Sequence, residues 1–204
     1  MTLEEIISQA ITEMRRPDLR TALRARMRSL LFSCHALADF GRDLAESEIV
    51  EVVIDQTKNF VQVEIPLPAN FRKLRRIVAL DSDENEIISQ WEFEKRTVRP
   101  PTDYFDAAVP ATYTLVGGVL RIEFRSCLVP PFLRLLYYAY PEFTLTPEGN
   151  SAVVTSTSWI LDNHPQLLLN YAIAWIAGMS EAGNKAAIDA QLQESKMALV
   201  TSEI

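Results

Sequence analysis

The sequence predicts an α+β protein in which N- and C-terminal helices form a helical bundle around an inserted antiparallel β-domain. Three observations carry this. Apolar residues recur at helical spacing near both ends of the chain, at Leu3, Ile6, Ile7, Ala10 and Ile11 and again beyond Pro165. Between them the period switches to two, as in Leu120, Ile122 and Phe124 alternating with Arg121 and Glu123. The order of helices, then strands, then helices places the strands as an insertion. The expected divisions are 1–48, N-terminal helices; 49–141, the β-domain; and 142–204, C-terminal helices and tail packed against 1–48.

The elements follow in order. Thr2 with Glu5 three residues later makes a capping box for a helix over 2–14. Pro17 separates it from a second helical stretch over 18–45, with an apolar line Leu19, Leu23, Met27, Leu30, Cys34, Leu37. Residues 49–54, a turn cluster at 55–59 and a partner strand at 60–65 read as a hairpin. A strand at 74–80 closes in the acidic turn Asp81-Ser82-Asp83-Glu84-Asn85, and 87–93 is open between strand and helix. Residues 97–110 read as a long surface loop. Residues 113–124 form the clearest hairpin, because Gly117-Gly118 suits a two-residue turn. A strand at 132–140 follows Pro130-Pro131, and 141–158 reads as polar and irregular. A helix over 159–182 is apolar nearly all round, so it belongs in the middle of a helical core. Gly183-Asn184 breaks the chain before a last helix over 185–199.

Composition excludes several classes. Of 204 residues, 48% are hydrophobic and 23% charged, which disfavours disorder. Two cysteines exclude a disulfide scaffold, and two histidines leave little for a multi-histidine metal site. The net charge is −7, and residues 141–204 supply −5 of it from seven acids and two lysines. An acidic chain repels a phosphate backbone on average. The N-terminus lacks the positive start and apolar core of a secretory signal, so synthesis in the cytosol is expected. Leu167–Met179 is too short for a membrane span of about 20 residues.

Local chemistry is sparse. Asp81, Asp83, Asn85 and Glu92 imitate a calcium loop, but Glu86 stands where the sharp turn needs Gly, so an acidic turn is the better reading. Cys34-His35 reads as a core-facing cysteine beside a surface histidine, because Cys127 and His164 lie far off in sequence. No nucleophile elbow, phosphate loop or zinc-protease motif occurs, so no catalytic residue, metal or cofactor is assigned. Trp91, Trp159, Trp175, Tyr137, Tyr138 and Tyr140 read as core or interface anchors. Arg16, Arg20, Arg24 and Arg28 stack at i+4 spacing and are read as an inter-subunit contact against acidic surface on a neighbouring copy. The alternative is a DNA-binding or regulatory protein using this Arg-rich second helix, and a spatially assembled enzyme site stays open as a third reading.

The order of motifs resembles the head-to-tail adaptor (connector) proteins of tailed bacteriophages, especially short-tailed ones. The residues are the opening helix with Arg15-Arg16-Pro17-Asp18, then Ile65-Pro66-Leu67-Pro68-Ala69-Asn70-Phe71-Arg72-Lys73-Leu74. Tyr113–Ile122, the strand Leu135–Pro141 with Leu145-Thr146, and the helix from Pro165 complete the pattern. One departure is that Asp18 leads directly into Leu19-Arg20, without the family's aromatic-rich segment. The resemblance implies a structural virion protein at the neck, not an enzyme. It implies a homo-oligomeric ring, commonly of twelve copies, docked on the portal protein and receiving tail nozzle or tail fibre proteins. It further implies that genomic DNA passes through without specific binding and that no membrane is involved. It also implies a portal contact at the chain end, on Met197, Leu199, Val200 and Ile204.

Overall fold

The computed structural model describes residues 1–53, 60–87, 93–95, 111–125, 129–148, 151–179 and 184–203. The chain divides into two compact units, Met1–Asp43 with Tyr140–Ile204, and Leu44–Ala139.

The first unit is built on helices. α1 spans Leu3–Met14 and is opened by the capping box, with Thr2 accepting from the Glu5 amide and Glu5 accepting from the Thr2 amide. It ends at Arg15 in the left-handed conformation. A short 3-10 turn at Pro17–Leu19 leads into α2, Arg20–His35. α2 is shorter than the periodicity predicts: it stops at His35, and the chain turns again at Gly41–Asp43. β9 (Phe143–Glu148) and β10 (Ser151–Ser156) then pair as an antiparallel hairpin where the sequence predicts irregular chain. The predicted single helix from 159 is two: α3, Trp159–Asn163, and α4, Pro165–Gly178. The break falls on His164, since the residue before proline is held away from helical geometry. α5, Lys185–Glu203, runs four residues past the predicted end. α4 lies centrally, packed by α1, α2 and α5, and its buried residues include Leu167, Leu168, Ala172 and Ile176. Helices from both ends of the sequence thus share one core.

The second unit holds two sheets over one core. In the first, β8 (Phe132–Ala139) is central, pairing with β4 (Phe71–Leu80) and with the short β1 (Leu44–Glu46) and β2 (Val50–Glu51). The second has the order β3-β7-β6-β5, from Phe60–Pro66, Val119–Arg125, Ala111–Val116 and Phe93–Lys95. Among the described residues, the strand pairings of this unit are antiparallel except that of β5 with β6. Val61, Ile65, Leu120, Ile122 and Leu133 meet in the shared core. The predicted hairpin joining 49–54 to 60–65 does not form: β2 pairs with β8 and β3 with β7, in different sheets. Its turn, the 97–110 loop and most of 87–93 lie outside the described residues.

The β6–β7 hairpin forms as predicted, with Val116 opposite Val119. Gly117 and Gly118 have φ of +59° and +81°, so the turn needs left-handed backbone twice. Gly118→Val should lower stability by roughly 1–2 kcal/mol by forcing a branched side chain into that region. Urea unfolding checks this. The loss reflects backbone strain alone, because a Cβ there meets open space.

Candidate functional site

The most organised polar cluster is buried in the helical unit. His35 ends α2 and is 1% exposed, which corrects the expected surface histidine. Its Nδ1 lies 2.9 and 3.0 Å from the two Asp43 carboxylate oxygens, and its Nε2 lies 2.7 Å from Ser158 Oγ. Trp159 Nε1 donates to Asp43 Oδ1 at 2.7 Å. Ser158 Oγ also accepts from the Ile160 amide and so caps α3. Asp43 is acceptor-only, so Nδ1 carries the proton toward it and the Ser158 hydroxyl is free to donate to Nε2. The order Ser–His–Asp imitates a nucleophilic triad. Here Ser158 is 2% exposed and its oxygen serves a helix cap, so the arrangement braces three chain segments rather than meeting a substrate. Sequence spacing hid it, because Ser158 lies 123 residues from His35. One signal was present: His35 follows Met27 and Leu31 at i+4 steps, on the buried line of α2.

A second cluster adjoins the first. Arg42 lies 5.2 Å over the Trp159 ring and pairs with Glu203 at 3.2 Å. His164 Nε2 lies 3.0 Å from the other Glu203 oxygen. The last turn of α5 is thereby tied to the 41–43 turn and to the start of α4.

The arginine stripe is divided. Arg16 pairs with Asp18 at 2.7 Å, and that hydrogen bond holds the Asp18 carboxyl below its usual range. Arg24 grips Glu4 through two bonds of 2.8 and 2.9 Å, and Arg20 reaches Glu4 at 3.4 Å and Ser8 Oγ at 3.0 Å. Arg20 and Arg24 therefore join α2 to α1 within the chain. Arg28 is exposed and lies 5.1 Å over the Phe32 ring, which itself stacks on Tyr140. The four arginines do not present one continuous cationic face.

The four chain-end residues also separate. Met197 is 66% exposed, Leu199 is 1% exposed in the helical core, Val200 is half-buried and Ile204 lies outside the described residues.

Other candidates resolve into local structure. Asp81 Oδ1 accepts from the Asp83 and Asn85 amides at 2.9 Å each, and the Asn85 bond leads in holding its pKa below the usual carboxylate range. Its lone pairs shape the acidic turn. Cys34 is buried, which pushes its thiol pKa up and disfavours the reactive thiolate. Cys127, Glu92 and Trp91 lie outside the described residues. Burial likewise lifts Tyr171 to about 12. Among the described residues, no group of three or more His, Cys, Asp or Glu side chains gathers as a metal site, and no helix is long and apolar enough to cross a membrane.

The polar clusters among the described residues thus tie the helical unit together. No curated protein matches the chain. The model of the SU10 adaptor protein family matches residues 1–203, through both units and every helix and strand. The chain belongs to the SU10 adaptor protein family, a family of structural phage adaptors, as the order of its motifs suggested.

Proposed function

We propose that this chain is the head-to-tail adaptor of a phage neck. Copies form a ring that docks on the portal protein, receives tail nozzle or fibre proteins and lines the channel through which the genome leaves. The observation that carries this is the family match across residues 1–203, with both units included. The charge distribution supports it: a net charge of −7, concentrated in the C-terminal region, lets DNA slide past rather than stick.

The portal contact is assigned to the chain end. Leu199 belongs to the helical core, so deleting 199–204 would disturb the fold along with the contact. Met197 is the cleaner probe. Native mass of the protein mixed with portal rings from the same genome should rise by about one copy per portal subunit. Met197→Asp should weaken that association about tenfold or more, as for loss of an apolar anchor at an interface. Absence of association at any salt concentration would remove the adaptor reading. Association indifferent to Met197 would remove the chain-end assignment alone.

A further inference from the structure

Two helices of the first unit have outward faces of opposite charge. α5 has nineteen residues, yet only Leu192 and Leu199 are fully buried, with Ile188 and Val200 half-buried beside them. On the opposite side Ala190, Glu194, Met197 and Thr201 are exposed at i+4, i+7 and i+11 spacing, and Asp189 is exposed at the flank. α2 buries Leu23, Met27, Leu30, Leu31 and Cys34, and presents Ala22, Ala25, Arg26 and Arg28 outward.

Arg28 lies over the Phe32 ring, yet neither it nor the other three charges has an ion-pair partner among the described residues: no carboxylate pairs with Arg26 or Arg28, and no cation pairs with Asp189 or Glu194. The contrast within α2 is informative. Arg20 and Arg24, nearest α1, are taken by Glu4, whereas Arg26 and Arg28 remain for something outside the protomer.

We propose that the first part of the outward face of α5, from Asp189 to Glu194, docks on the outward face of α2 from a second copy of this chain, with Asp189 and Glu194 set against Arg26 and Arg28, which leaves Met197 for the portal contact. This rests on the ring reading above. It moves the inter-copy contact from Arg16, Arg20 and Arg24 to the arginines that the protomer leaves available. The two patches differ, so the contact is heterologous: each copy offers α5 to one neighbour and α2 to the other. Such a contact closes into a ring where its rotation allows, instead of stopping at a dimer. The charge pairs fix register and partner choice, and wrong pairings of α2 with α2 or α5 with α5 are repelled.

The test is charge reversal with recovery. Two variants, Arg26→Glu with Arg28→Glu, and Asp189→Lys with Glu194→Lys, are compared with the chain carrying all four changes. Self-association is read by sedimentation, and copies bound per portal ring by native mass. Each double variant should lose assembly about tenfold or more, and the fourfold variant should regain most of it. All four side chains are exposed, so thermal melting should stay near that of the wild type in every variant. Assembly indifferent to either double change, or lost in the fourfold variant with its fold intact, overturns the contact. Wild-type protein that neither self-associates nor binds portal rings overturns the adaptor reading as well, which separates the two failures.

Discussion

His35→Ala should destabilise the protein by about 3 kcal/mol, because it takes a hydrogen-bond donor from a buried carboxylate and a partner from the Ser158 hydroxyl. The ring holds both Asp43 oxygens and engages Ser158 Oγ, and both partners are themselves buried. Alanine leaves the carboxylate in the interior without the imidazole and leaves a void beside Trp159, whose ring lies edge-on to His35 at 5.7 Å. Against a typical total of about 5–15 kcal/mol, that is a large fraction of the stability. Urea unfolding at neutral pH measures it. Ser158→Ala provides the comparison: it removes the α3 cap and one bond of the network, and should cost only about 1 kcal/mol. Equal losses in the two variants would mean that the Asp43 carboxylate does not depend on the imidazole.

Leu168→Ala should cost about 2–5 kcal/mol, through lost transfer energy and the cavity left behind. Leu168 is fully buried on α4, which α1, α2 and α5 all pack against, so no single neighbour can move in to fill the space without leaving another. Met197→Ala on α5 should stay within about 0.5 kcal/mol, because that side chain is mostly in solvent. The pair of measurements separates core from contact surface. A small loss at Leu168 would show that the helical core closes readily around the void. A loss at Met197 comparable to that at Leu168 would show that α5 packs by its outward face too.

The same division explains what could be read from residues alone. The capping box of α1, the apolar line of α2, the two-residue hairpin turn and the all-round apolar α4 are short-range patterns. In each, the side chains that decide the structure lie within a few residues of one another. The family resemblance rested on the order of such patterns, and that order survives whatever they pack against. The errors share the opposite character. Residues 50–51 and 60–66 are strands, as their β-branched content predicts, but each found a partner elsewhere. Proximity in sequence suggested a hairpin, while pairing with β8 and β7 placed the two strands in different sheets over one core. In the β9–β10 hairpin, Phe143 and Leu145 alternate with Thr144 and Thr146 for only four residues before Pro147, and Ala152-Val153-Val154 does not alternate, so period alone did not reveal it.

The candidate sites divide in the same way. Charge type and spacing singled out the arginines, and the chain end stood out by its apolar residues. Which arginines are spent was settled by Glu4, twenty residues before Arg24, and which chain-end residues are buried was settled by the face of α5 turned to the core. By itself the sequence determined the α+β class, most elements and the acidic character, because these depend on composition and local periodicity, and the resemblance of its motif order pointed to an adaptor family. Only the tertiary structure decided strand partners, the His35–Asp43–Ser158 brace and which side chains of α2 and α5 stay exposed. Those depend on which side chains satisfy one another across distances of up to 123 residues, and a buried polar group is tolerated only where such a partner arrives.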